Sequence, residues 1–287
     1  MNNINMDKAQ ILSNALPYIQ QNYNKIIVVK YGGNAMTDEK IKQAVMSDII
    51  LLWLMGIKVV VVHGGGPEID QLLTKVGKEI EFIGGLRHTD EETLDYVQMV
   101  LTGKINKNLV SLIQQKDGNA IGLCGIDGGM IQAKKMESEM NLGYVGEITK
   151  INTKPILDAL NNGYIPVIAT VGADGKGNIY NINADTTAAK IAKALEADSL
   201  ILMTDVKGLM RDLHDESSLI QEVEISEVNN LQKKGIISGG MIPKVDCCAD
   251  AVQNGVEKAV IVDGRRPHSI LEEILSDEGV GTKFYQV

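Results

Sequence analysis

Two lysines beside glycine-rich turns are the side chains best suited to act on an anion. Lys30 follows the β-branched run 26–29 and precedes the pair Gly32 and Gly33, while Lys244 follows the run S-G-G-M-I-P. Glycine turns expose backbone N–H groups to an anion, and a lysine adds a mobile positive charge. The first motif alone fits an ordinary strand and turn equally well, so the case for a phosphate site depends on other parts of the chain.

A second glycine cluster strengthens that interpretation. The run 57–62, apolar except for Lys58, predicts a buried strand, and it is followed by H-G-G-G-P at residues 63–67. Neighbouring parallel strands place their turns at one sheet edge, where two such turns can cradle one phosphoryl group. His63 has no second histidine or cysteine at metal-ligand spacing, so we predict a structural role for it.

A candidate carboxylate-binding arginine lies in the run G-L-R-H-T-D, residues 85–90. Thr89 or Asp90 can cap a following helix, which places Arg87 just ahead of a helix N-terminus. A guanidinium there suits a substrate carboxylate held by two parallel hydrogen bonds. The alternative is an arginine that pairs with Asp90 or Glu91 at the surface.

The run N-I-N-A-D carries a polar cluster of Asn181, Asn183 and Asp185. If this segment is extended, the three side chains share one face and can orient lysines or bind polar substrate groups. Helix capping by Asn183 or Asp185 is an alternative, and it is compatible with such a role.

Composition restricts the class of protein. The chain has 287 residues, 44% of them hydrophobic, and a net charge of −9, which indicates a globular protein and argues against nucleic-acid binding. Three cysteines form no disulfide framework and are interpreted as packing residues. The sequence shows neither a signal peptide nor an apolar run long enough to span a bilayer. We therefore expect a cytoplasmic protein.

The order of predicted elements indicates the fold class. Buried strands, including 165–171 and 200–203, alternate with helices such as 38–55, 95–115 and 186–195. This pattern predicts an α/β fold, a three-layer αβα sandwich with an open, mainly parallel central sheet. Residues 130–136 and 143–151 are expected to form antiparallel ribbons. A helix over 7–22 is expected to bend or break at Pro17.

Six motifs occur together in one order: K-Y-G-G-N, H-G-G-G-P, G-L-R-H-T-D, N-I-N-A-D, T-D-V-K-G and S-G-G-M-I-P-K. Over nearly its whole length the chain resembles the acetylglutamate kinases of the amino-acid kinase superfamily. The resemblance implies the amino-acid kinase fold. It also implies ATP-dependent phosphorylation of the side-chain carboxylate of N-acetyl-L-glutamate, the second step of arginine biosynthesis through acetylated intermediates.

By this resemblance Lys30 and Lys244 stabilise the transition state, Asp185 orients both lysines, and Gly33 and Gly65 offer N–H groups to the transferred phosphoryl group. The residues implied to bind N-acetylglutamate are Gly65, Gly66, Arg87 and Asn181. Those implied to bind ATP are Asp205, Val206, Lys207, Gly208, Leu209, Met210, Ile236, Ile237 and Ser238. Magnesium is expected to be held through the nucleotide phosphates.

The resemblance also implies regulation and a division of the chain. The segment L-P-Y-I in the helix before the first strand resembles the N-terminal extension of arginine-inhibited members, which form hexamers as trimers of dimers. Residues 1–24 would be an oligomerisation helix, 25–180 the amino-acid lobe and 181–287 the nucleotide lobe on one continuous sheet. Arginine is expected near Tyr18, His268, Glu278 and Gly281. A terminal helix packed on its own domain is the alternative.

Three other functions are alternatives to this one. A related kinase that acts on N-acetyl-aminoadipate would use the same fold and lysines. A nucleotide or arginine sensor without turnover is disfavoured because both lysines and Asp185 are present. A dinucleotide-dependent dehydrogenase is less favoured still, since no G-x-G-x-x-G follows the first strand.

Overall fold

The computed structural model describes residues 2–212 and 215–287. Its α-helices in these ranges are α1 (Asn2–Asn22), α2 (Glu39–Leu54), α3 (Gly66–Lys75), α4 (Glu91–Gln98), α5 (Asn106–Gln114), α6 (Lys154–Asn161), α7 (Ala184–Ala194), α8 (Val228–Lys233), α9 (Ile242–Gln253) and α10 (Ser269–Ile274). Its strands are β1 (Ile26–Tyr31), β2 (Lys58–His63), β3 (Phe82–Ile83), β4 (Leu86–Arg87), β5 (Ala120–Cys124), β6 (Ile131–Lys135), β7 (Gly146–Ile151), β8 (Ile165–Ala169), β9 (Val171–Ala173), β10 (Ile179–Asn181), β11 (Ser199–Thr204), β12 (Glu222–Glu224), β13 (Lys258–Asp263) and β14 (Thr282–Tyr285).

Eight strands form one continuous central sheet in the order β12-β14-β13-β11-β1-β2-β8-β5. Every neighbouring pair is parallel except β13 and β14. Strand β1 lies at the centre, with Ile27 opposite Val59 on one side and Ser199 on the other. The α/β fold class with a mainly parallel sheet between helical layers is confirmed.

Both faces of the sheet are covered, as the continuous apolar strands predicted. Ile27 and Val29 belong to a core cluster that includes Met46 and Ile49 of α2. Val28 belongs to the cluster on the opposite face, which is built with α7 and α9. Residues alternate between the faces along each strand, so a β-branched run without polar alternation fits a strand between two helical layers.

A smaller sheet, β10-β9-β6-β7, is built from strands between residues 131 and 181. The predicted antiparallel ribbons are confirmed as β6 and β7. The single strand predicted over 165–171 is wrong, because β8 ends at Ala169 and Val171 begins β9 in the smaller sheet. The Thr170 carbonyl accepts from the Ile182 N–H, which draws the backbone away from the central sheet.

Two helix predictions need correction. Helix α1 runs through Pro17, so the predicted break is wrong, while a bend at this position stays a prediction. A proline removes one hydrogen bond, and the other bonds of this 21-residue helix carry it past that point. The helix predicted over 95–115 contains a π-helical segment, Met99–Ile105, between α4 and α5. Apolar periodicity does not distinguish such a segment from an α-helix.

Candidate active site

Lys30, Asp185 and Lys244 meet at the carboxyl end of the central strands. The ammonium of Lys30, near the end of β1, lies 2.9 Å from Asp185 Oδ1. The ammonium of Lys244, in the first turn of α9, lies 2.6 Å from Asp185 Oδ2. The two predicted catalytic lysines therefore share one carboxylate that lies between them.

The charge state of this cluster follows from its surroundings. Burial of Asp185 opposes its ionisation, but the charges of Lys30 and Lys244 outweigh that effect and hold the pKa of the carboxyl below its usual value. The carboxylate is therefore charged at neutral pH. The cluster carries two positive charges and one negative charge in a largely buried place, which suits an anionic ligand.

The two glycine turns lie side by side, as predicted. The Gly64 N–H donates to the Tyr31 carbonyl at 3.1 Å, so the second turn is bonded directly to the end of β1. Gly33 has a φ of 69°, a left-handed conformation that disfavours a side chain. A β-carbon there would also lie 3.0 Å from an oxygen of Asp205.

The four residues predicted to bind the acceptor line one cavity of about 160 Å³, together with Ile69, Leu101 and Ala184. They are Gly65, Gly66, Arg87 and Asn181. Because Ala184 precedes Asp185, this cavity lies beside the charged cluster. The Asn181 amide donates to Thr89 Oγ1 at 3.1 Å, which fixes the side chain at the cavity wall.

Arg87 is buried rather than exposed, and it lies in the short hairpin β3–β4. Its guanidinium pairs with Asp70 at 2.6 Å and stacks on the Phe82 ring at 4.7 Å. The alternative of a surface pair with Asp90 or Glu91 is wrong. Asp90 instead caps α4 by accepting from the Thr93 N–H, which confirms it as the helix cap.

A second cavity, of about 330 Å³, opens on the other side of the cluster and includes Lys244. Six of the nine predicted nucleotide residues line it: Val206, Gly208, Leu209, Met210, Ile236 and Ser238. Its lining is rich in aliphatic and thioether side chains, as an adenine ring requires.

The other three predicted nucleotide residues lie elsewhere. Asp205 contacts the position of Gly33, as described above. Lys207 lines a neighbouring cavity with Arg265 and Arg266. Ile237 is buried in the core that α7 and α9 share.

Sequence reasoning missed several residues at these cavities. Asp70, which pairs with Arg87, gave no signal because it looked like an ordinary helix carboxylate. Thr282 is buried and its hydroxyl accepts from the Leu209 N–H at 2.8 Å, supporting the second cavity from the last strand. Met241 lines that cavity and could have been found within the run S-G-G-M-I-P-K.

The segment that carries Asn181, Asn183 and Asp185 is not extended throughout. The prediction that Asp185 shares a face with the two asparagines is therefore wrong. Helix α7 begins at Ala184, and Asn183 is its N-cap, accepting from the Thr186 N–H at 3.0 Å. Asp185 points from the first helical turn toward the lysines. A good cap at Asn183 starts the helix before the alternation can continue.

The four predicted effector residues occupy the region around α1, α2 and the chain's last fifth. A hydrogen bond with Asp277 raises the pKa of Tyr18, so α1 meets the segment that carries Glu278. His268 Nδ1 lies 2.6 Å from Asp48 of α2. A β-carbon at Gly281 would lie 2.1 Å from the Ile261 carbonyl oxygen, so this position requires glycine.

The described residues contain neither a metal-ligand cluster nor a membrane-spanning helix. Across 2–212 and 215–287, no group of three His, Cys, Asp or Glu side chains could hold a metal ion. No helix in that same part of the chain combines the length and apolarity needed to cross a membrane.

Comparisons with known proteins agree with this geometry. The model of the amino acid kinase family matches residues 25–263. The acetylglutamate kinase of Clostridium beijerinckii is 56% identical over 280 residues, covering 97% of this chain and 98% of that protein. The acetylglutamate kinase of Brachyspira hyodysenteriae is 52% identical over 287 residues, covering all of both chains.

A solved structure supports the fold. The N-acetylglutamate synthase of Neisseria gonorrhoeae, complexed with coenzyme A and N-acetyl-glutamate, superimposes with a TM-score of 0.85 at 23% identity. The match covers 97% of this chain and 63% of that chain, so the chain spans less than two thirds of the synthase. The chain belongs to the amino acid kinase family, and the prediction of a phosphotransferase is confirmed.

Proposed function

We propose that the chain transfers the γ-phosphoryl group of ATP to the side-chain carboxylate of N-acetyl-L-glutamate, giving N-acetyl-L-glutamyl 5-phosphate and ADP. The observation that carries this proposal is the Lys30–Asp185–Lys244 cluster, which lies beside both an acceptor-sized cavity and an apolar cavity. The names of the relatives support the acceptor. This reaction is the second step of arginine biosynthesis, and the cytoplasmic location stays a prediction.

The protein promotes this reaction mainly by positioning the two substrates and by supplying positive charge. The acceptor carboxylate attacks the phosphorus directly, so no covalent nucleophile is needed. Lys30 and Lys244 neutralise charge that spreads over the phosphoryl oxygens, and Asp185 keeps both ammonium groups in place. Backbone N–H groups of Gly33 and Gly65 complete the set of donors.

Arg87 is assigned to the α-carboxylate of the acceptor. Its present partner, Asp70, has a side chain that is 39% exposed, so a ligand carboxylate can compete for the guanidinium from the cavity. Asn181, already held by Thr89, would face the acetylated end of the same ligand. A bidentate guanidinium distinguishes a carboxylate from a neutral amide.

ATP would place its base among Val206, Leu209 and Ile236, and its phosphates toward Lys244. Magnesium would supply further positive charge on the phosphates. Since the described residues contain no ready-made cluster of metal ligands, nucleotide oxygens and water would be its main ligands.

A hexamer inhibited by arginine is also proposed. Three apolar side chains of α1 are largely exposed in the single chain: Ile11 by 67%, Leu12 by 70% and Leu16 by 51%. Exposed apolar side chains grouped on one helix suit burial against another copy. Because α1 meets the Asp277 segment through Tyr18, an effector there could couple assembly to the nucleotide half.

An assay of ADP release tests the reaction. N-acetyl-L-glutamate is expected to be the best acceptor when compared with N-acetyl-aminoadipate, glutamate and no acid at all. One methylene group changes transition-state binding by only about 1–3 kcal/mol, so the longer acid should retain measurable activity. Faster turnover of N-acetyl-aminoadipate would change the proposed acceptor, and background rates with every acid would favour a sensor.

A further inference from the structure

Two buried polar side chains, His63 and Asn106, lie behind the second glycine turn. His63 is completely buried at the end of β2, and Asn106 at the start of α5 is 1% exposed. The Nδ1 atom of His63 lies 3.0 Å from the Gly64 carbonyl oxygen. Its Nε2 atom lies 3.1 Å from the amide nitrogen of Asn106. The imidazole thus connects the glycine turn to helix α5.

The orientation of the Asn106 amide is fixed by its neighbours. Its Nδ2 atom lies 2.8 Å from the Val167 carbonyl oxygen and 3.1 Å from that of Leu123. Its Oδ1 atom accepts from the Lys107 ammonium at 3.1 Å. A carbonyl only accepts and an ammonium only donates, so the reversed amide would place acceptor against acceptor. The amide nitrogen, which can donate but cannot accept a hydrogen bond, therefore faces His63 and shares its two hydrogens among the two carbonyl oxygens and the ring nitrogen.

This orientation decides the tautomer of His63. A ring nitrogen that faces a donor must carry a lone pair, so Nε2 is unprotonated and the hydrogen is on Nδ1. Nδ1 then donates to the Gly64 carbonyl. Burial, partly opposed by this hydrogen bond, lowers the pKa of His63 to about 4, which keeps the ring neutral at pH 7.

The hydrogen bond to Gly64 orients the backbone of Gly65, a residue that lines the acceptor cavity. In a trans peptide the C=O and the following N–H point in opposite directions, so holding the Gly64 carbonyl also directs the Gly65 N–H. In the part of the chain that the structure describes, the Gly65 N–H donates to no protein acceptor. The Gly64 N–H is held by Tyr31, so the peptide groups on both sides of Gly64 are fixed.

We propose that His63 is a positioning residue for phosphoryl transfer: Asn106 fixes its Nδ1–H tautomer, and the imidazole then directs the Gly65 N–H at the transferred phosphoryl group. This inference rests on the proposed function, which assigns the phosphoryl group to Gly65. A donor fixed in advance stabilises the transition state without reorganisation during the reaction.

Two amide variants separate positioning from packing. In His63→Asn the amide nitrogen can occupy the place of Nδ1 and donate to Gly64. In His63→Gln the amide reaches the place of Nε2 and meets Asn106, but no donor faces Gly64. We expect His63→Gln to lower kcat on the order of 100-fold, with a smaller change in KM, and His63→Asn to restore most of that loss.

Thermal stability is measured first, and the kinetics of both variants are then compared at one temperature at which both are folded. This comparison separates an effect on positioning from an effect on packing. A higher kcat for His63→Asn, whichever variant is the more stable, supports positioning. Equal kcat values in the two variants, a lower kcat for His63→Asn than for His63→Gln, or a change confined to KM overturn the proposal. Absence of wild-type activity on N-acetyl-L-glutamate would instead refute the proposed function.

A measurement on the unmodified enzyme covers the case in which the variants do not fold. Nitrogen-15 NMR of the imidazole side chains reports the tautomer of each of the four histidines. We expect one ring, assigned to His63, to stay in the neutral Nδ1–H form from pH 5.5 to 8. An Nε2–H tautomer or a protonated ring in that range would overturn the proposal without reference to activity.

Discussion

Asp185 holds two ammonium groups that would otherwise repel each other. Lys30 lies 2.9 Å and Lys244 lies 2.6 Å from its two oxygens. Lysine suits this position because its compact charge on a flexible stem can follow phosphoryl oxygens as bonds change. When an anion enters the site, each lysine gains a second partner for its ammonium group and remains paired with the Asp185 carboxylate.

We predict that Lys30→Ala and Lys244→Ala each lower kcat by about 100-fold or more, with smaller changes in the KM values. The reason is that both charges act mainly on the transition state. Steady-state kinetics with both substrates varied would measure this. Lys190→Ala is a matched control, since Lys190 lies on α7 and pairs with Asp250 at the surface. Unchanged kcat with a raised KM in either lysine variant would remove that lysine from catalysis.

The buried guanidinium of Arg87 gives a second prediction. Arg87→Lys should raise KM for N-acetyl-L-glutamate by about 10-fold or more and leave KM for ATP nearly unchanged, because a point charge cannot replace a bidentate fork. Lys78→Arg, which alters a surface ion pair with Asp90 and Glu92, should change neither constant. A selective rise in KM for ATP would show that Arg87 acts on ATP and would contradict its assignment to N-acetyl-L-glutamate.

At the scale of elements, the site is formed at the glycine turns that follow strands β1 and β2. The first strand was predictable because its β-branched run is buried on both faces. The adjacent turns were predictable because parallel strands end at one edge. Both predictions use only residues that are close together in the sequence or lie on neighbouring strands.

Other parts of the site could not be predicted, for physical reasons that particular residues show. Asp70 pairs with Arg87 through tertiary packing, and its sequence neighbours are those of an ordinary helix. Thr282 supports Leu209 across 73 residues of chain, a contact with no sequence signal. The end of β8 at Ala169 depends on a hydrogen bond from Ile182, which apolar runs do not reveal.

The contact between α2 and α10 gives a prediction about pH. Burial raises the pKa of Asp48 to about 6, although its hydrogen bond to His268 opposes the shift, and Glu272 adds a smaller repulsion. The folded state therefore binds the proton more tightly than the unfolded state, whose carboxyl has a pKa near 3.8. This stabilisation is present at low pH and is lost as pH rises through about 6.

Relative to Asp48→Asn, the wild-type free energy of unfolding should fall by about 1–3 kcal/mol between pH 4 and pH 7. Urea unfolding of both proteins across that range would measure it. Asp90→Asn is a control with a nearly flat profile over this range, because the hydrogen bond from Lys78 is the main cause that lowers the pKa of Asp90 to about 2, so its titration lies below pH 4. Parallel profiles for wild type and Asp48→Asn would contradict the assignment.

At the scale of the whole molecule, the central sheet joins two halves of the chain. Strands β1, β2, β5 and β8 come from the predicted amino-acid lobe, and β11 to β14 from the predicted nucleotide lobe. The charged cluster lies where the two sets meet, with Lys30 on one side and Lys244 on the other. The lobe boundaries stay predictions.

Assembly through α1 is the prediction at this scale. Deletion of residues 1–24 should abolish the hexamer and weaken arginine inhibition while leaving active dimers. The deletion also removes Tyr23, which packs on Gly56, so a milder change is a cleaner test. The double variant Leu12→Asp, Leu16→Asp keeps that contact and charges only exposed apolar positions.

Light scattering coupled to gel filtration, with kinetics at several arginine concentrations, would measure the effect. The double variant Gln10→Asp, Asn14→Asp is a matched control, since both residues are exposed on the other side of α1 with the same spacing. It should remain hexameric and arginine-sensitive. A hexamer that survives charge at Leu12 and Leu16 would contradict assembly through this face of α1.

The central position of β1 also determines when during folding the site can exist. One neighbour of β1 is β2, which follows it closely, but the other is β11, and the Ile26 N–H bonds to Asp198 across 172 residues. Contacts so distant in sequence form slowly because a long loop must close first. A chain that has paired only β1 and β2 carries Lys30 without Asp185. Partly folded chains should therefore hold nucleotide poorly, and activity should return only in the slowest refolding phase.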